Sequence, residues 1–150
     1  MRTLVQRVSH ASVRVEGELI SSIQEGFLIF VGIHSDDNQD DIDWLANKIA
    51  GLRVFNDDAG KFNLSLADIE GSMLVVSQFT LFASTKKGFR PSFTRSAPPE
   101  IAIPLYEKFA ETIAEKSGRP VSTGVFGANM DVDLLNQGPV TIMIDSRARE

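Results

Sequence analysis

The chain has 150 residues and a formal net charge of −5, enough length for one domain with a sizeable core. Hydrophobic residues make up 43% and charged residues 23%, ordinary values for a globular protein in water, and no apolar run nears the ~20 residues that span a bilayer. There are no cysteines, which excludes disulfides, thiol nucleophiles and cysteine-held zinc and suits a reducing cytoplasm, and the first residues lack the order of an export signal.

Val13-Arg14-Val15 alternates, Glu16-Gly17 has the form of a two-residue turn, and Glu18-Leu19-Ile20 returns, so a hairpin is predicted. Phe27 to Ile33 is continuously apolar, as in a strand buried on both faces. Asp36 to Asp41 places acids and N-caps ahead of a helix whose Ile42, Leu45 and Ile49 form one apolar stripe, ending at Gly51. Leu52 to Phe55 reads as a short strand, Asn56 to Lys61 as a turn, and Met73 to Leu81 as a longer strand. Ser84 to Ser96 is a basic loop punctuated by Gly and Pro. Pro98-Pro99-Glu100 opens a second helix with Ile101, Leu105, Phe109 and Ile113 at every fourth position, closed by Gly118-Arg119-Pro120. Val121 to Thr123 and Met130 to Ile144 supply the last strands. With no repeat or linker, residues 1–150 read as a single α/β domain dominated by its sheet.

Charge is unevenly spread. Gly71 to Pro99 holds no acid but carries Lys86, Lys87, Arg90 and Arg95, so that segment is +4 while the remainder has 11 basic and 20 acidic residues. A basic patch on an acidic protein suits one polyanionic end better than a long duplex; the alternative reading is a solubilising loop.

Several chemistries are disfavoured. The two histidines, His10 and His34, lack metal-ligand spacing. No Gly-x-Ser-x-Gly elbow and no Gly-rich nucleotide-binding loop is present. No metal and no cofactor is expected. Acids at Asp36 to Asp41 suit a helix cap better than a calcium site.

Two polar motifs interrupt apolar strands. In Ser77-Gln78-Phe79-Thr80-Leu81 the strand period puts Gln78 and Thr80 on one face, where an amide and a hydroxyl can bind a carbonyl or amine. The same pair also suits plain cross-strand contacts, and Thr80 as a nucleophile needs a base that the sequence does not supply. In Asn136-Gln137-Gly138-Pro139-Val140-Thr141 the proline removes a ladder donor and the glycine frees the backbone, so the step either presents carbonyls to a ligand or makes a simple turn.

Together these motifs resemble the D-aminoacyl-tRNA deacylase family, as do Gln6-Arg7-Val8, Ala11-Ser12-Val13, Gly60-Lys61-Phe62-Asn63-Leu64 and Gly88-Phe89-Arg90-Pro91-Ser92-Phe93. The similarity runs in order from residue 1 to about 145. The resemblance implies a barrel-like β domain with two main helices, forming a cytoplasmic homodimer with no membrane contact. It implies hydrolysis of D-aminoacyl esters, and of glycine, from the 3′ end of tRNA. Carried onto this chain, Ser77, Gln78, Phe79 and Thr80 line the ester site. Gly138-Pro139, with a cis peptide, reaches from one subunit into the other's pocket and rejects L-amino acids. Met130 walls the terminal adenosine and Asn136 belongs to the substrate-binding set. Lys86, Lys87, Arg90 and Arg95 meet tRNA phosphates. Two rival readings are a non-catalytic nucleic-acid-binding module and an editing enzyme for mischarged L-amino acids with a trans Gly-Pro step.

Overall fold

A computed structural model describes residues 1–150. The long first strand β1 (Arg2–Val15) is the spine of a six-stranded sheet. The hairpin turn Glu16-Gly17 has positive φ at both residues and returns the chain into β2 (Glu18–Ile23), the turn geometry whose twist matches the flanking strands. β2 pairs with the second half of β1, and β3 (Gly26–Gly32) pairs with the first half, both antiparallel. After β3 the chain forms helix α1 (Gln39–Ala50), a small antiparallel pair β4 (Phe55–Asn56) and β5 (Phe62–Leu64), and then β6 (Ser72–Ser77), which lies parallel to β3. Helix α2 (Pro99–Ser117) carries the chain to β7 (Val121–Thr123), parallel to β6. The last strand, β8 (Met130–Asp145), runs antiparallel along nearly the whole of β1. With β2 and β3 on one side of β1 and β8 on the other, the sheet wraps into a barrel-like form.

Two cores explain the apolar strands. Phe27, Ile29, Val31, Met73 and Val75 face the layer of α1 and α2, while Leu28, Leu74 and Val76 face inward against Val8, Val13 and Ile23. Both faces of β3 and β6 are therefore buried, as the continuous apolar run of β3 predicts. Each such side chain contributes about 1.5–3 kcal/mol. α1 starts as expected. The Asn38 side chain accepts from the Asp40 N–H at 2.8 Å and Asp41 accepts from the Asn38 N–H at 3.0 Å, satisfying donors that a helix start leaves free.

Three expectations are corrected. β6 stops at Ser77, and Phe79–Phe82 forms a 3-10 turn instead of continuing the strand to Leu81. The strand expected at Leu52 to Phe55 is only Phe55–Asn56, because the Val54 carbonyl is taken by the Arg7 side chain and not by a ladder partner. In α2 the buried stripe is Ala102, Tyr106, Phe109 and Ile113, with Ile101 exposed. A row of every fourth residue drifts about 40° per step around a helix, so its first members leave the core.

Candidate functional site

At the end where β3 and β6 finish, a cavity of about 310 Å³ opens beside α2 and the loop between β7 and β8. Ser77, Gln78 and Phe79 line one wall, Met130 another, over an apolar floor that includes Val31 and Val76. Such a volume lies at the lower end of small-ligand sites. The 3-10 turn changes how the polar motif is displayed. The Gln78 N–H still follows the ladder, donating to the Val31 carbonyl at 2.7 Å, but the chain then turns away and brings the Gln78 amide onto the Thr80 hydroxyl, to which it donates. These two side chains meet through the turn and not through strand alternation. The Phe79 and Thr80 N–H groups open the turn, where no carbonyl of the same turn lies within reach as a partner.

The turn is pinned from outside. The Ser96 hydroxyl donates to the Phe79 carbonyl at 2.8 Å, and Phe93 packs edge-on against the Phe79 ring with centroids 5.1 Å apart. At its far end the Arg2 guanidinium donates to the Leu81 carbonyl at 3.0 Å, lies 4.7 Å from the Phe82 ring centre and pairs with Asp145 at 2.7 Å. Burial works against ionisation of Asp145, but the Arg147 N–H and the Arg2 guanidinium outweigh it and hold the carboxyl below its ordinary range. Phe79 itself is 57% exposed at the cavity mouth.

Other expected site residues lie elsewhere. Gly138 and Pro139 stand exposed on β8, outside this cavity, with a cis peptide between them and open space around Gly138. Asn136 braces that step: its amide donates to the Arg7 carbonyl at 3.1 Å and to the Val140 carbonyl at 3.0 Å, while its oxygen accepts from Thr141. Asn136 is thus a backbone brace, not a wall of the cavity. Lys86, Lys87, Arg90 and Arg95 are all exposed on the loop that leads from the turn to Ser96. His10 is an exposed strand residue whose Nε2 lies 3.4 Å from Asp133.

Phe126, Gly127, Ala128 and Asn129 line the cavity and were not anticipated. The available signal was Gly124 and Gly127 bracketing a break between two strands. Gly127 has φ +77°, and a Cβ on Gly124 would lie 2.6 Å from the Met130 sulfur. Tyr106, on α2, sends its hydroxyl to the Val75 carbonyl at 2.8 Å, and burial pushes its pKa up to about 12, so it acts as a fixed donor.

A sequence profile of the family described as D-Tyr-tRNA(Tyr) deacylase matches residues 4–145. This end-to-end match, with the full-length relatives that follow, defines an enzyme of the deacylase class. The D-aminoacyl-tRNA deacylase of Bacteroides thetaiotaomicron is 55% identical, and that of Azobacteroides pseudotrichonymphae 57% identical, each over 150 residues covering 100% of both chains. A solved structure described as c-Myc DNA Unwinding Element Binding Protein is 40% identical and superposes with a TM-score of 0.91 over 99% of this chain and 100% of its own. The chain belongs to the D-Tyr-tRNA(Tyr) deacylase family.

Proposed function

We propose that this protein hydrolyses the ester bond of D-aminoacyl-tRNA in the cytoplasm, releasing the free D-amino acid and tRNA, and that it also removes glycine. The observation that carries this reading is the cavity joining Ser77, Gln78, Phe79 and Met130 at a polar strand exit, in a chain whose full-length relatives bear that activity in their names. The ester carbonyl sits at the turn, where backbone N–H groups such as that of Phe79 stabilise the developing oxyanion, and water is the nucleophile. The neighbouring ribose hydroxyl of the substrate relays the proton. Ser77 and Gln78 orient the substrate and Met130 packs on the terminal adenosine.

Selectivity against L-esters comes from a second protomer. Gly138 and Pro139 are exposed and lie outside the cavity of their own chain, as befits a step that enters a partner's cavity in a homodimer. Backbone carbonyls and a proline ring there leave room for one handedness only. Lys86, Lys87, Arg90 and Arg95 contact phosphates of the acceptor end.

The name of the 40%-identical neighbour favours a second reading, nucleic-acid binding without catalysis. Hydrolysis of matched D-Tyr-tRNA and L-Tyr-tRNA, with and without EDTA, separates the two. Loss of the D-ester alone in both conditions supports the deacylase; no cleavage above buffer supports the binding module.

A further inference from the structure

An aromatic ring carried on the basic loop has no part in the cavity. Phe89 is fully exposed and pairs with no other ring. Its position is built and not accidental. The loop is closed by a two-way backbone bridge, Ser84 N–H to Ser92 carbonyl at 2.8 Å and Ser92 N–H to Ser84 carbonyl at 2.9 Å. Within it Gly88 takes φ +67°, a left-handed turn that reverses the chain at Phe89. The base of the loop is fastened to the candidate site by Phe93 on the Phe79 ring, by Ser96 on the Phe79 carbonyl, and by the Ala97 N–H on the Ile33 carbonyl at 2.9 Å. The base of the loop is therefore fixed relative to Phe79. Lys86, Lys87 and Arg90 stand on either side of Phe89 in the sequence, all exposed, and no acid occurs from Gly71 to Pro99.

An exposed ring on a loop of exposed cations, paired with no other ring, has the chemistry of a stacking platform for an unpaired nucleobase, with the cations available to the backbone. A single-stranded polyanion with exposed bases offers both complements at once, a flat face for the ring and phosphates for the cations. We propose that Phe89 stacks on an unpaired base of the tRNA 3′ strand, upstream of the terminal adenosine that enters the cavity. This rests on the deacylase reading and adds to it a contact that holds the strand outside the reacting end.

The test compares two substrates that share the reacting ester: D-Tyr-tRNA, and D-tyrosyl-adenosine, which has no upstream base. Phe89→Ala is expected to lower kcat/KM on the tRNA by about tenfold or more, mostly through KM, and to leave the adenosine ester unchanged, with Phe89→Trp restoring the tRNA rate. An equal loss on both substrates, or no loss on the tRNA, overturns the proposal. A second arm titrates protein into a short single-stranded oligonucleotide with 2-aminopurine at the penultimate position. Quenching by wild type and not by Phe89→Ala supports stacking even where wild type cleaves neither ester, an outcome that would instead sink the deacylase reading; equal quenching by both proteins counts against stacking. Co-sedimentation with phosphatidylglycerol vesicles that depends on Phe89, with tRNA kinetics unmoved, would assign the loop to a lipid surface and overturn the proposal.

Discussion

The Gln78 side-chain amide donates a hydrogen bond to the Thr80 hydroxyl across the first step of the 3-10 turn. An amide has neither the basicity to take the threonine proton nor a second partner that would lend it any, so the bond fixes the hydroxyl without activating it. His10, an alternative base, is an exposed strand residue paired near Asp133. The arrangement favours hydrolysis led by positioned backbone N–H groups over covalent catalysis by Thr80.

Thr80→Ala should accordingly retain turnover of D-Tyr-tRNA within about tenfold of wild type, since removal of a true nucleophile costs several orders of magnitude. Single-turnover hydrolysis, with circular dichroism to confirm folding, decides the matter. A residual rate near that of buffer would make Thr80 the nucleophile.

The Gly138-Pro139 step separates two kinds of damage. Gly138→Ala adds a methyl group with nothing within 4 Å in this chain, so urea midpoints should hardly move while hydrolysis of the D-ester falls. Asn136→Ala instead strips the donor from the Arg7 and Val140 carbonyls and should cost about 1–3 kcal/mol of stability. If Gly138→Ala keeps full activity, the step does not enter a partner's cavity.

Much of this fold is legible in the residues. The hairpin at Glu16-Gly17, the doubly buried strand from Phe27 and the capped helix after Asn38 each follow a local rule with no rival. The turn after Ser77 was not legible, because Phe79-Thr80-Leu81-Phe82 are good strand formers and only tertiary bonds from Arg2 and Ser96 hold them in a 3-10 turn. For the same reason the common strand face that alternation predicts for Gln78 and Thr80 does not form, and the turn brings the two side chains together instead. Asn136 illustrates the opposite limit: its place in the motif was visible, yet its two bonds to backbone carbonyls depend on β1 lying alongside β8.

The basic loop predicts a salt signature. If Lys86 and Lys87 each meet one phosphate, changing both to Ala should weaken tRNA binding at low salt and reduce the slope of log K against log[salt] by roughly 1.5. Filter binding from low to moderate salt measures it. An unchanged slope would mark the pair as a solvated loop.

Acid should loosen the seam between the C-terminal end of β8 and the start of α1. Burial opposes ionisation of Asp41, but the Ser146 hydroxyl at 2.6 Å and the Asn38 N–H outweigh it and lower its pKa; Asp145 is lowered in the same sense. Carboxyls with depressed folded pKa values bind fewer protons folded than unfolded. Their contribution is complete above the unfolded value, roughly 4, and fades as pH falls through the folded values. Urea midpoints should therefore be level from pH 7 down to about 4.5 and decline below it, less steeply in Asp41→Asn, whose starting stability is lower. A flat profile to pH 3 would remove these two groups from the account.

Gly124 offers a way to alter the cavity without touching the turn. A Cβ there would fall 2.6 Å from the Met130 sulfur, and a thioether is flexible enough to move aside where a backbone atom is not. Gly124→Ala should thus fold, keep the Gly124 N–H bond to the Val75 carbonyl at 3.1 Å, and displace Met130 from its present place in the cavity wall. Where Met130 packs on the terminal adenosine, the expected result is a rise of about tenfold in KM for D-Tyr-tRNA with kcat little changed. Pairing the change with Met130→Ala makes space for the added methyl group, so the double variant should show no further loss beyond Met130→Ala alone. Independent losses in the double variant would mean that Gly124 acts through the β7–β8 loop and not through Met130.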